Sequence, residues 1–132
     1  MSRPEQAALF LRKGRQDLVA AEAPAATTGV SDEIVGFHCQ QAAEKLLKTW
    51  LTQHVQSFPR THNLLTLLEL VETAGGKLPP DVQEIDTLTP YGVFLRYDEP
   101  EADAVLERER ALELVRSLEA WVVKSGGSPK TS

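Results

Sequence analysis

The sequence is poor in cysteine and has no long apolar run. Of its 132 residues only Cys39 is a cysteine, so no disulfide can form within one chain. This is typical of a protein from a reducing compartment. No apolar stretch approaches the roughly 20 residues that a membrane-spanning helix needs, and the N-terminus lacks the apolar region of a signal peptide. We therefore expect a cytoplasmic protein that does not enter a membrane.

The chain also lacks an excess of positive charge. Its formal net charge is −5, which excludes the broadly basic surface of a non-specific nucleic-acid-binding protein but is compatible with a local basic groove. Three histidines are present, and none is four residues from another. With no cysteine cluster beside them, they do not form a metal-binding pattern. We expect no metal site and no cofactor.

What the chain has is helical periodicity. Hydrophobic residues make up 42% and charged residues 25%, as in an ordinary soluble domain. The spacing predicts five helical segments and no strand, with Gly and Pro at their ends. The predicted segments are approximately 4–22, 31–56, 62–74, 81–98 and 101–124, the fourth being kinked or split at Thr89-Pro90. Short connections predict an all-α, up-down antiparallel bundle over residues 1–124, with 125–132 as a flexible C-terminal tail.

The second segment is the most informative. Its centre, Phe37–Leu51, reads F-H-C-Q-Q-A-A-E-K-L-L-K-T-W-L. A polar row that includes Gln41, Lys45 and Lys48 borders an apolar stripe on one helix face. The stripe consists of Val35, Cys39, Ala42, Ala43, Leu46, Leu47, Trp50 and Leu51. This pattern predicts the central helix of the bundle, with Cys39 as a small buried hydrophobic residue.

Four segments, taken in order, resemble a known family. They read Q-Q-A-A-E-K-L-L-K at 40–48, R-Q-D-L at 15–18, P-R-T-H-N-L at 59–64 and L-R-Y-D at 95–98. Together they resemble the HEPN domain family over roughly residues 7–122. The resemblance implies a bundle of about five helices that forms a homodimer. It also implies a partnership with a minimal nucleotidyltransferase encoded nearby, in which the HEPN protein is the toxin component.

Other HEPN proteins are metal-independent endoribonucleases, in which an Arg is followed four to six residues later by a His. Here Arg96 is followed by Y-D-E-P-E-A-D, without a His, and His62 follows Arg60 by only two residues. The resemblance therefore implies the fold and the nucleotidyltransferase association better than it implies RNA cleavage.

Two pairs of residues are candidates for binding a nucleotide or RNA. Arg60 and His62 precede a predicted helix whose free N–H groups favour phosphate. The simpler alternative for His62 is a packed ring beside a helix cap formed by Thr61. Arg96 and Tyr97 suit a phosphate contact and base stacking. The alternative for Arg96 is an internal ion pair with a nearby acid.

Candidates on the second segment have a simpler alternative. Gln41 and Lys45, with His38, could line a polar cleft, but a solvated helix edge or a dimer contact explains them as well. Gln40 and Glu44 are four residues apart and are interpreted as a helix-surface pair.

These observations predict a HEPN-type partner of a minimal nucleotidyltransferase, with nucleotide or RNA bound in a cleft. A metal-independent endoribonuclease using Arg96 and His62 is the first alternative. A non-catalytic dimeric adaptor is the second.

Overall fold

The computed structural model describes residues 1–25, 29–92 and 106–126. Four α-helices and one 3₁₀ helix make up this part of the chain. In chain order they are α1 (Arg3–Ala25), α2 (Asp32–His54), α3 (Leu64–Thr73), the 3₁₀ helix (Pro80–Gly92) and α4 (Arg108–Gly126). The described residues contain no strand, so the predicted all-α bundle is confirmed. No described helix is both long and apolar enough to span a bilayer.

The second helix, α2, is the centre of the bundle. It packs against all four other helices. Every member of the predicted apolar stripe is buried, from Val35 to Leu51. Gly36 lies so close to the 3₁₀ helix that a Cβ atom would be 2.3 Å from the ring of Tyr91. The sequence pattern therefore identified the central helix correctly.

The helix α1 packs along α2. The spacing predicts a buried face of Ala7, Leu11, Gly14, Leu18 and Ala21, and all of these are buried except Leu11, which is half-buried. The helix extends to Ala25, past the predicted end at Glu22, and so includes Pro24. Proline has no N–H to donate, and helix ends are defined only to within one or two residues. The predicted position of this end was three residues early.

The cap of α2 is Ser31, as a serine before two acidic residues predicts, whereas the cap predicted for α3, Thr61, is wrong. The Ser31 hydroxyl accepts a hydrogen bond from the Ile34 amide at 3.4 Å. At α3 the cap is Asn63, whose Oδ1 accepts from the Thr66 amide at 3.1 Å. The Thr61 hydroxyl instead accepts from the Asn63 amide at 3.1 Å. The helix ends before Gly75, which has a φ of 97°, a conformation that favours glycine.

In its described part, Pro80–Gly92, the fourth predicted segment is a 3₁₀ helix rather than a kinked α-helix, and 93–98 lie outside the described residues. Pro90 lies within it, and Thr89 does not cap a new helix. The Thr89 hydroxyl accepts from the Leu64 amide at 3.3 Å and so links this segment to the start of α3. Prolines at 79, 80 and 90 remove N–H donors that a regular α-helix would use.

The last helix, α4, starts later than predicted. Leu106 and Glu107 are not helical, so a continuous helix from Glu101 to Lys124 is wrong. The Leu106 amide donates to Asp32 at 3.4 Å, and Arg108 Nε donates to the same carboxylate at 2.6 Å. These contacts anchor the start of α4 to the first turn of α2. Arg96 and Tyr97 lie in 93–105, outside the described residues.

Candidate functional site

A buried carboxylate organises the polar side of α2. The Glu44 side chain is only 6% exposed. Its Oε2 accepts from Lys48 Nζ at 2.9 Å and lies 2.9 Å from Nδ1 of His62. Its Oε1 accepts from Gln40 Nε2 at 3.0 Å. Three side chains therefore converge on one carboxylate, and one of them comes from the segment that precedes α3.

The environment of Glu44 favours its charged form. Burial alone would raise the pKa of this carboxyl group, because a buried charge loses its hydration. Hydrogen bonds from Lys48, His62 and Gln40 outweigh that effect, so the pKa lies below its usual value of 4.5. Glu44 is thus a stable anion that attracts Lys48 and His62.

Gln40 connects this carboxylate to two other segments. It is fully buried, and its Nε2 also donates to the backbone carbonyl of His62 at 3.3 Å. Its Oε1 accepts from Gln41 Nε2 at 2.7 Å. Gly92 lies directly against the amide, where a Cβ atom would be 3.1 Å from Gln40 Cδ. The predicted contact between Gln40 and Glu44 is present, but its placement on the helix surface is wrong, because tertiary contacts bury both side chains.

Next to this network is a pocket of about 510 Å³, which we call the basic pocket. Its lining includes four side chains of basic residue types and two phenylalanines. They are Arg3 and Phe10 of α1, Lys48 of α2, and Phe58, Arg60 and His62 of the segment between α2 and α3. None of the described residues that line it is an Asp or a Glu.

The two arginines of the basic pocket are not neutralised by carboxylates in the described part of the chain. Arg3 Nη2 donates to the backbone carbonyl of Thr52 at 2.8 Å and also to that of Val55. These contacts fix the guanidinium without cancelling its charge. Arg60 is exposed and has no hydrogen bond or ion pair with any described residue. Arg60 is therefore the cation most available to a ligand.

A second polar cluster lies between α1 and α2. Asp17 Oδ1 is 3.0 Å from Nδ1 of His38, and its Oδ2 accepts from Lys45 Nζ. All three side chains are at least partly buried, with exposures of 14% for Asp17, 27% for His38 and 25% for Lys45. This cluster joins two helices, and Lys45 is consequently engaged away from the basic pocket.

The structure brings together only some of the predicted binding residues. Arg60 and His62 share the basic pocket, whereas Gln41 and Lys45 do not line it. Arg96 and Tyr97 lie outside the described residues, so their roles stay predictions. Arg3 and Glu44 were missed, although the Glu44–Lys48 spacing of four residues was a visible signal of a helical ion pair.

The described part of the chain contains neither a reactive cysteine nor a group of side chains that could bind a metal ion. Cys39 is fully buried, as predicted, and burial raises the pKa of its thiol to about 12. Such a thiol is not a nucleophile at neutral pH. No three described His, Cys, Asp or Glu side chains lie together in a way that could hold a metal ion.

The chain matches the model of a known protein family. The model of the HEPN domain matches residues 7–125, which is most of the chain. No curated protein and no solved structure shows significant similarity to the sequence. The matched range includes all four motifs, and the match agrees with the all-α bundle. The chain therefore belongs to the HEPN domain family.

Proposed function

We propose that this HEPN protein binds a phosphate-bearing ligand, a nucleotide or RNA, in the basic pocket without cleaving it. The observation that carries the proposal is the charge of the lining. Arg3, Lys48, Arg60 and His62 come from three parts of the chain and meet around one cavity. They do so in a protein whose net charge is −5, so the cavity differs sharply in charge from the molecule as a whole.

The chemistry of these side chains suits phosphate. A guanidinium presents paired N–H donors that match two phosphate oxygens. None of the guanidinium donors of Arg60 forms a hydrogen bond with a described residue. Arg3 is held in place by backbone carbonyls at the end of α2. Glu44 already contacts Lys48 and His62, so these two side chains are less available to a ligand than the arginines.

A thermal-shift titration with inorganic pyrophosphate tests phosphate binding. At ten times the dissociation constant we expect the melting temperature to rise by about 5 °C, because only the folded state offers the pocket. Arg60→Ala should remove most of this rise. Arg12→Ala is the matched control, since Arg12 is exposed, lies outside the basic pocket and carries the same charge. Equal effects of the two variants would contradict the proposal.

We further propose that the protein acts in the cytoplasm as a homodimer and as the toxin component paired with a minimal nucleotidyltransferase. Family membership supports this pairing. The outward face of α1 offers a surface for another chain, because Val19 is 64% exposed beside a shallow pocket lined by Leu11 and Arg15.

Co-expression with a nucleotidyltransferase encoded beside this chain tests the pairing. The two proteins should co-purify, and Val19→Glu should weaken a contact that uses the α1 face. Leu65→Glu is the control, because Leu65 is also exposed but lies on α3. Failure of the wild-type proteins to form a complex would contradict the partnership.

Light scattering of the protein alone should give the mass of a dimer.

The ribonuclease alternative has one supporting observation. The His62 side chain is 84% exposed while Glu44 holds its Nδ1, an arrangement that suits a general acid or base. Incubation with cellular RNA in EDTA distinguishes the two functions. Cleavage that disappears in both His62→Ala and Arg96→Ala would establish the enzyme. If the protein neither cleaves RNA nor binds pyrophosphate, the result would favour the third function, a non-catalytic dimeric adaptor.

A further inference from the structure

The three histidines of the chain differ in how accessible their rings are. In each of them Nδ1 lies 2.9 or 3.0 Å from an oxygen of another residue. The His38 side chain is only 27% exposed, and the ring of His54 is stacked on that of Trp50 with centroids 4.0 Å apart. The His62 side chain is 84% exposed. The ring of His62 is thus both oriented through Nδ1 and open to solvent.

The contact with Glu44 fixes the tautomer of His62. Although burial raises the pKa of the Glu44 carboxyl group, hydrogen bonds from Lys48, His62 and Gln40 hold that pKa below its usual value, so the group is ionised at neutral pH. An ionised carboxylate can only accept hydrogen bonds. The neutral His62 ring therefore carries its proton on Nδ1, and Nε2 keeps a free lone pair. Nε2 is consequently the nucleophilic nitrogen of this ring.

The surroundings of the His62 ring suit a phosphoryl group. The ring lines the basic pocket together with Arg3, Lys48 and Arg60, and no described lining residue is an acid. Arg60 forms no hydrogen bond or ion pair with a described residue. Cationic side chains stabilise the negative charge that is spread over the oxygens of a phosphoryl group during its transfer. A nucleophilic nitrogen and cations that can hold phosphoryl oxygens therefore lie next to each other.

We propose that His62 is a phosphorylation site, at which Nε2 accepts a phosphoryl group from a donor of the phosphoramidate class. The Nε2 lone pair forms the new N–P bond while the P–N bond of the donor breaks. The amino nitrogen of the donor is already protonated, so it leaves as ammonia with the electron pair of that bond. The His62 ring becomes an imidazolium that keeps its Nδ1 proton, and the Glu44 carboxylate compensates its charge.

This covalent site goes beyond the reversible phosphate binding proposed above. In it His62 is the residue that reacts, and Glu44 is a positioning residue that holds the ring in the reactive tautomer.

Incubation of the full chain with phosphoramidate tests the site. The intact mass should rise by that of one phosphoryl group, and peptide mapping should place the group on His62. The modification should be lost in acid and stable in base, as an N–P bond requires. Within the same molecule His62 should react at least about tenfold faster than His54 or His38, because cations surround it. Equal rates at His62 and His54, or no modification of His62, would overturn the proposal.

Variants separate the reactive ring from its surroundings. His62→Gln should abolish the modification, and it should fold because the side chain is exposed. His54→Gln is the matched control, since His54 is also exposed and has a held Nδ1 but lies outside the basic pocket. Arg60→Ala should slow the reaction of His62 about tenfold, whereas Arg12→Ala should not. A wild-type rate in Arg60→Ala would contradict the role of the cations.

Glu44→Gln tests the positioning role. Its amide can donate to Nδ1 and so move the ring proton to Nε2, which removes the reactive lone pair. The rate at His62 should fall about tenfold relative to that at His54 in the same molecule. A purely structural role would lower stability without changing this ratio. If the variant does not fold, nitrogen NMR of the wild type decides, because a neutral ring with its proton on Nε2 would overturn the proposal.

Phosphorylation and phosphate binding can fail separately. The response of the unmodified protein to pyrophosphate decides phosphate binding alone, and the mapped modification decides phosphorylation alone. If both occur, the phosphorylated protein should bind pyrophosphate at least about tenfold more weakly, because the attached dianion occupies the same arginines. Pyrophosphate binding that is unchanged by phosphorylation would show that the attached group lies outside the basic pocket, contrary to the proposal.

Discussion

Glu44 has more contacts with other polar side chains than a surface glutamate of a helix would have. A carboxylate that loses its hydration is retained only when hydrogen bonds replace the lost water. Here Lys48, His62 and Gln40 supply them, and the depressed pKa of Glu44 reflects their combined effect. The residue therefore connects the stability of the fold to the position of two pocket side chains.

Replacing the Glu44 carboxylate should change how the free energy of unfolding depends on pH. The folded-state pKa of Glu44 is lowered, so its ionisation stabilises the native protein above the unfolded pKa of about 4.5. This contribution is lost as the pH falls through the lower folded-state value. At pH 7 Glu44→Gln should reduce the free energy of unfolding by about 2 kcal/mol, and the difference from the wild type should shrink at pH 3.

Urea denaturation at the two pH values measures this effect. The control is Glu69→Gln, which removes an exposed carboxylate that has no described partner. We expect the control to alter stability by less than about 0.5 kcal/mol at either pH. An equal loss for Glu44→Gln at pH 7 and pH 3 would refute the role given to its charge.

At the scale of elements, the start of α3 positions Arg60 and His62. The segment that carries them ends at the Asn63 cap, and Thr89 binds the first amide of the helix. Two amides of the first turn are therefore already occupied, namely those of Leu64 and Thr66. A phosphate bound at this place would therefore be held mainly by side chains, although the sequence had suggested free amides.

Loss of the Asn63 cap should destabilise the protein by about 1 kcal/mol, because the Thr66 amide would lose its acceptor. Thermal unfolding of Asn63→Ala measures this loss. Asn63→Asp should remain close to the wild type, since its carboxylate can accept the same hydrogen bond. A melting temperature of Asn63→Ala equal to that of Asn63→Asp would show that the cap is not important.

The elements differ in how well the sequence predicted them. The Ser31 cap of α2 was predictable because a serine precedes two acidic residues and a long apolar stripe. The choice between Thr61 and Asn63 at α3 was not, since both side chains can accept from an amide two or three residues ahead. The late start of α4 depends on Asp32, which is 74 residues away from Leu106 and leaves no local signal.

At the scale of the whole molecule, the described helices share one core. Buried residues from all four α-helices and from the 3₁₀ helix form one hydrophobic cluster around α2. This much could be predicted from helical periodicity, because apolar spacing alone identifies the buried faces. The basic pocket could not, since Arg3 and Arg60 are 57 positions apart in the sequence and meet only through tertiary packing.

A shared core predicts cooperative unfolding. Circular dichroism and tryptophan fluorescence should give the same urea midpoint, because Trp50 of the core in α2 stacks with Trp121 of α4, which packs against that core, with ring centroids 5.7 Å apart. Leu47→Ala should cost about 2–5 kcal/mol, since Leu47 is fully buried. Leu65→Ala, at a leucine that is 45% exposed, should cost far less. Separate midpoints for the two signals would indicate independently folding parts.

The close contact between Gly92 and Gln40 has a consequence for sequence variation. A side chain at position 92 would push on an amide that also binds Glu44 and the His62 carbonyl. Positions 40 and 92 should therefore vary together among functional variants, with a larger residue at 92 accepted only beside a shorter one at 40. A selection that randomises both positions at once would recover pairs of residues that neither position tolerates alone.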